Sequence, residues 1–409
     1  METRYKILAA IWFFQVANYL DRVVVSFAGP SIMKSLSMDP QSFGLVLSSF
    51  SIGYFIAQIP GGMLADRWGA KPLLVIAPLI WALLTGVTGL VAGLTGFVAV
   101  RVCLGLAEGL SNTSIYKTLG DNFASEERAR ASSIWATSLA VAPALAGPAV
   151  GALLGLFGWQ WVFFLMVIPP LLASLVNFLA IPGKRPAEKP LGDTAAIAGG
   201  NETSFREALG HPALWVIALA YFSFNIGYWG YLGWMPSYLV LEHHFDVKSM
   251  GLLSGIPYVF AFFGMLIFGW LGSGPLYRYR PHLVASSCLL AAISLYLAYS
   301  SETVVLMMAG LSSAAFFLYG GLGPFAAILL DLAPENVRAS YSGVVNTAGQ
   351  IGGSIAPLVV GFLVQSTGNF ASGFAFMAAA LCIAAASYIA LIPYLSARPV
   401  SVRPAGALH

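Results

Sequence analysis

Four ionisable residues stand inside otherwise apolar stretches, Asp21 and Arg22 in one and Arg101 and Glu108 in another. A guanidinium presents a planar fork of donors that matches a carboxylate two bonds at a time. A buried carboxyl tends to stay neutral, and a neighbouring guanidinium favours its ionised form, so a cation that comes and goes can switch its proton. Two arginines and two acids therefore suggest binding of a carboxylate coupled to protonation. Arg22 is assigned as the main ligand for an acid group, Arg101 as a second cationic contact, and Asp21 and Glu108 as proton carriers. Tyr19, Tyr54, Tyr228, Trp229, Asn346 and Gln350 are candidates to bind hydroxyls or wall a cavity, with helix packing and interhelical hydrogen bonding as the competing role.

The elements that must position these groups are membrane spans. Of 409 residues, 58% are hydrophobic and 9% charged, against roughly 25% charged in soluble domains. Lipid is the solvent such a chain requires. Spans of about 20 apolar residues are read near 5–31, 42–65, 72–92, 94–117, 132–157, 160–182, 212–240, 250–272, 281–300, 303–330, 340–366 and 371–395. The start of the chain resembles a signal peptide, but the apolar run is too long and lacks a cleavage site, so a retained first helix is expected. The fold class is an all-α membrane protein of twelve helices: an N-terminal six-helix half over 1–182, a linker over 183–211 and a C-terminal half over 212–409. Asp331-Leu-Ala-Pro-Glu-Asn-Val-Arg338-Ala echoes Asp121-Asn-Phe-Ala-Ser-Glu-Glu-Arg128-Ala, and a weaker echo relates Gly62–Lys71 to the stretch from Gly269 to Arg280. Duplicated halves place a binding site between them at mid-membrane.

Sixteen of the twenty lysines and arginines fall on the N-terminal side of the spans, and only Lys34 and Lys248 on the other. The positive-inside rule then puts both termini in the cytoplasm. A charge at the bilayer centre costs roughly 2.5–3.5 kcal/mol, so the four deep charges must face the interior and compensate one another. At a rise of about 1.5 Å per residue, Asp21 and Arg101 share a level where they could pair. Arg101 and Glu108, seven residues apart, share a helix face with a gap suited to a ligand.

The other features exclude more than they assign. Net charge of +3 argues against nucleic acid. Cys103, Cys288 and Cys382 lie in apolar runs and are read as packing residues, with no disulfide. No nucleophile constellation, metal-ligand spacing or phosphate loop is present, so neither enzymatic activity nor a cofactor or metal is expected. The histidines fall in loops or at helix ends, which argues against a histidine proton relay.

The chain resembles the major facilitator superfamily. Gly62-x-Leu64-x-Asp66-Arg67-x-Gly69-x-Lys71 matches the family's motif between the second and third spans. Asn18-Tyr19-Leu20-Asp21-Arg22, Gly53-Tyr54-x-x-x-Gln58-x-Pro60-Gly61-Gly62, Arg101-x-x-x-Gly105-x-x-Glu108-Gly109, Trp234-x-Pro236-x-Tyr238 and Gly343-x-x-Asn346-x-x-Gly349-x-x-Gly352-Gly353 are similar to its anion:cation symporter branch. That branch includes sugar-acid and hexuronate carriers. The resemblance implies proton-coupled import of a small organic anion by alternating access. The alternatives are an anion exchanger or uniporter without proton coupling, and a drug efflux pump, which the two arginines disfavour. Asp66, Arg67, Lys71, Arg128 and Arg338 are expected to act as latches at the inner face. A monomer in a bacterial inner membrane is expected, with the anion, protons and lipid as its partners.

Overall fold

The continuous apolar runs form helices, because a backbone in lipid must satisfy its own hydrogen bonds. The computed structural model describes residues 3–123, 131–132, 134–182, 205–334 and 337–396. In the N-terminal half these are α1 (Thr3–Ser35), α2 (Pro40–Trp68), α3 (Ala70–Thr88), α4 (Leu94–Asn122), α5 (Ser138–Phe157), α6 (Trp159–Leu165) and α7 (Ile168–Ala180). The short α8 (Phe205–Gly210) precedes α9 (Pro212–Leu241), α10 (Val247–Ser273), α11 (Arg280–Ser300), α12 (Val304–Gly320), α13 (Leu322–Leu332), α14 (Arg338–Thr367), α15 (Ala371–Ala390) and α16 (Ile392–Ser396). Eleven described segments are long and apolar enough to cross a membrane, and the 29-residue α2 accompanies them.

Four expected spans are interrupted: the fifth at Thr137, the twelfth at Leu391, and two more at prolines or glycine. The sixth divides at Met166–Val167, where Pro169 and Pro170 open α7 without the amides a continuous helix would need. The tenth divides at Gly321, with Pro324 in the first turn of α13. The first helix runs to Ser35, past the expected end at 31. Within the expected linker 183–211, residues 205–210 are helical.

α1 and α9 are the central helices, with 78% and 67% of their most apolar windows buried. Outward-facing rows such as Ile76, Leu79, Ile80 and Leu83 on α3, and Phe260, Phe263 and Ile267 on α10, are exposed and form the face that lipid would cover. Gly69 ends α2 at φ 87°, a conformation that glycine adopts without strain, and its amide bonds the Ala65 carbonyl at 2.9 Å. This accounts for the glycine in the Asp66–Lys71 motif.

The two halves meet at the end of the bundle away from the N-terminus. A side chain at Gly44 would collide with the Pro357 carbonyl, and one at Gly361 with that of Pro40. Gly147 and Gly151 of α5 face Gly251 of α10 so closely that a Cβ on Gly251 would lie 2.7 Å from the Gly147 carbonyl oxygen. The Phe43 and Trp234 rings, 5.7 Å apart and edge to face, complete that seam. At the opposite end of the bundle, Gly343 and Asn346 of α14 are exposed.

Candidate functional site

The site begins at a backbone contact between α2 and α4. Side chains at Gly53 or Gly105 would be driven into the carbonyls of Val102 and Phe50, and a Cβ at Gly109 would lie 2.5 Å from that of Tyr54. Bare glycines at these positions let the two helices touch. Phe50 and Tyr54 of α2 then stand beside Arg101 and Glu108 of α4.

Arg22 reaches across to this pair of helices. Its Nη2 bonds Glu108 Oε2 at 3.2 Å and Asn18 Oδ1 at 3.5 Å. Its guanidinium carbon lies 4.4 Å from the Tyr54 ring centre, 4.8 Å from Phe50, 5.2 Å from Tyr19 and 5.8 Å from Trp229. The Arg101 guanidinium carbon lies 4.6 Å from the same Phe50 ring centre. Ring faces carry negative potential and stabilise a cation where water is scarce, so an aromatic cage partly replaces hydration for both arginines. Glu108 is 0% exposed and Arg22 8%. Arg22 Nε, Arg101 Nε and Glu108 Oε1 have no hydrogen-bond partner among the described residues, so donors and an acceptor remain free at the pair.

A cavity of about 30 Å³ lies against Arg22, Ser26, Leu47, Phe50, Arg101, Trp229, Gly353 and Pro357. That volume holds one or two waters and is far below a ligand pocket of some 300 Å³ or more.

Asp21 departs from expectation. It does not line the cavity and forms no ion pair with Arg101; its Oδ1 accepts a 2.5 Å hydrogen bond from the Thr85 hydroxyl of α3, and its Oδ2 has no partner among the described residues. The reason is local. On α1 the two side chains stand about 100° apart, and here that turn sends Asp21 toward Thr85 and Arg22 toward the cavity. Equal depth was satisfied, but helix rotation was not.

The remaining candidates separate. Tyr19 and Tyr54 are buried against Arg22, and Trp229 lines the cavity. Tyr228 is buried behind Trp229, ring centres 5.5 Å apart. Asn346 and Gln350 do not line the cavity. They fall on the α14 stripe 343, 346, 350, 353, 357, whose last two members do, and so lie between it and the open end of the bundle.

Of the expected latches, Arg128 and the side chains of Asp66 and Arg338 lie outside the described residues. Arg67 is exposed, and Lys71 Nζ sits 4.9 Å from the Phe178 ring of its own half rather than against the other half. In the weaker echo of that motif, Arg280 joins Asp331 at 2.9 Å and the Gly272 carbonyl at 2.7 Å, tying the ends of α10, α11 and α13.

Sequence reasoning missed Phe50 and Thr85. Phe50 carries a signal, since it stands one helical turn before Tyr54 on the same face. Thr85 has none: it is one threonine in an apolar span.

The family model described as the Major Facilitator Superfamily matches residues 11–357. The hexuronate transporter of Bacillus subtilis (strain 168) is 30% identical over 407 residues, covering 96% of this chain and 94% of its own length. The probable L-galactonate transporter of Escherichia coli (strain K12) is 28% identical, covering 93% and 88%. A bacterial homologue of the human lysosomal transporter Spinster, solved inward-facing and unoccupied, superposes with a TM-score of 0.77 at 20% identity, covering 97% of this chain and 95% of that one. With its helices, its motif residues and these matches in agreement, the chain belongs to the major facilitator superfamily and is a membrane transporter, not an enzyme.

Proposed function

We propose that this transporter is a proton-coupled symporter that imports a small organic monoanion, a sugar acid or similar carboxylate. The observation that carries the reading is the buried Arg22–Glu108 pair at 3.2 Å, with Arg22 on the cavity wall. An arriving carboxylate competes with Glu108 for the guanidinium fork. Once it takes Arg22, Glu108 is left as a buried anion without its cation, and binding a proton relieves that cost. Cargo and proton then cross together. The B. subtilis hexuronate and E. coli galactonate relatives support a sugar-acid substrate.

With both termini cytoplasmic, the closed seam of Gly44, Pro357, Gly151 and Gly251 is the outer gate, and the arrangement is inward-facing. Alternating access rocks residues 1–182 against 212–409 across this seam, with 183–211 as the connecting linker. Asp66, Arg67, Lys71, Arg128 and Arg338 act at the other end as inner latches when the outer gate opens. Asp21, held by Thr85, is the second proton-carrying acid. The protein works as a monomer in a bacterial inner membrane.

The test is Glu108→Gln in proteoliposomes. The variant keeps counterflow exchange and loses accumulation driven by an inward proton gradient. Normal uphill uptake by the variant refutes the role of Glu108, and wild-type uptake indifferent to the gradient makes the protein an exchanger.

A further inference from the structure

Behind the aromatic cage, the C-terminal half holds a cluster of tyrosines, of which only Tyr228 was a candidate above. Tyr228 of α9, Tyr258 of α10 and Tyr319 of α12 are 4%, 0% and 0% exposed. Their rings pack together, with centres 5.0 Å apart for Tyr228–Tyr319 and 6.0 Å for Tyr258–Tyr319. None of the three hydroxyls has a well-aligned hydrogen-bond partner among the described residues. The neighbouring Tyr231, by contrast, bonds the Leu311 carbonyl at 3.0 Å.

A buried hydroxyl without a partner is costly, and three in one cluster call for water or a ligand to satisfy them. The cluster adjoins the ion-pair site. Trp229 lines the cavity and touches Tyr228, and its ring centre is 6.5 Å from that of Tyr19. The Tyr228 hydroxyl is within hydrogen-bonding reach of the Tyr19 and Tyr319 hydroxyls, though not well aligned with either. Hydroxyl groups thus lead from Tyr19, beside Arg22, into the C-terminal half.

We infer that Tyr228, Tyr258 and Tyr319 form a second subsite that reads the hydroxyls of a polyhydroxy carboxylate whose acid group is held at Arg22. The inference rests on the anion reading above and adds to it where the neutral end of the cargo is recognised. Neutral phenols suit that task. Each donates and accepts, as a sugar hydroxyl does, and none adds charge that the single carboxylate would have to balance. A site whose buried donors await substrate hydroxyls discriminates strongly against an analogue that lacks them. Water occupies the hydroxyls when the site is empty, and the substrate displaces it.

The experiment uses the full-length protein in proteoliposomes, with Tyr258→Phe and Tyr319→Phe, which delete only the hydroxyl. Inhibition constants are measured for D-gluconate, D-glucuronate, D-glucarate and L-tartrate, and for hexanoate, a carboxylate with no hydroxyl. Each variant is expected to weaken the tightest hydroxylated acid about fivefold or more and leave hexanoate unchanged. Equal losses for both classes, or unchanged constants, overturn the inference. A raised melting temperature with unchanged affinity identifies the hydroxyls as water sites only, which also overturns it. Arg22→Ala separates the two levels. If its loss of affinity for the hydroxylated acid stands while the tyrosine variants do nothing, only the subsite falls. If no acid binds in an Arg22-dependent way, the anion reading falls and the subsite with it.

Discussion

Asp21 and Arg22 are sequence neighbours whose side chains serve different contacts: Asp21 accepts a hydrogen bond from Thr85 at 2.5 Å, while Arg22 pairs with Glu108 at 3.2 Å. The two acids have different principal partners but remain within reach of each other, so Asp21, Glu108, Arg22 and Arg101 form one interacting group.

The Thr85 hydroxyl donates to Asp21 Oδ1. Removing it leaves a buried carboxyl without that donor, a loss of about 1–3 kcal/mol. Thr85→Val should lower the melting temperature, and a cycle with Asp21→Ala should be strongly non-additive. Additive effects would show that the bond carries no coupling energy.

Arg22→Ala leaves Glu108 fully buried without its ion-pair partner, at a cost of about 3–5 kcal/mol. Arg22→Ala combined with Glu108→Gln should recover part of that stability, because the uncompensated charge is gone. Transport should not recover, since the carboxylate's ligand is still missing. Thermal melts and uptake assays on the same preparations separate the two outcomes.

The seam at Gly151 and Gly251 admits no side chain. Gly251→Leu should hold the halves apart at that end, as packed interfaces switch between discrete states rather than deform. Ser26 lines the cavity. In a background lacking the native cysteines, Ser26→Cys should react with an impermeant maleimide from the seam side only when Gly251→Leu is present. Equal labelling with and without that change would remove the seam's role as a gate.

The loop after α9 is acid-sensitive. Asp246 caps α10, accepting from the Ser249 hydroxyl and from the Ser249 and Lys248 amides, and these bonds hold its carboxyl below the ordinary range. A depressed carboxyl contributes stability that is present above its ordinary pKa and lost as pH falls through the lowered one. Burial lowers the pKa of His243, so the unfolded chain takes up that proton first and stability also falls with pH, but nearer neutrality. Asp246→Asn keeps the acceptor without titrating and should flatten the lower limb of melting temperature against pH. An unaltered limb would show that the cap does not contribute to it.

Much of the architecture is legible in the chain because its causes are local. Apolar runs long enough to span lipid set the helices, and the proline and glycine at Pro169 and Gly321 mark where two of them break. The breaks were not read in advance, because hydropathy averaged over a span conceals an interruption of one or two residues. Phe50 could have been found from its place one turn before Tyr54, whereas Tyr258 and Tyr319 sit in ordinary-looking spans and gain meaning only when their hydroxyls prove to have no well-aligned partner.

Composition, span length and the family motifs by themselves determined that this is a twelve-helix transporter with two arginines and two acids deep in its N-terminal half. The tertiary structure decided which of those charges meet. Depth along a helix follows from counting residues, but the direction a side chain faces depends on the helix's rotation against its neighbours. That rotation is set by contacts far apart in sequence, such as Gly53 and Gly105 letting α2 lie against α4. Through those contacts Glu108 became the partner of Arg22, while Asp21, expected beside Arg101, took the Thr85 hydroxyl instead.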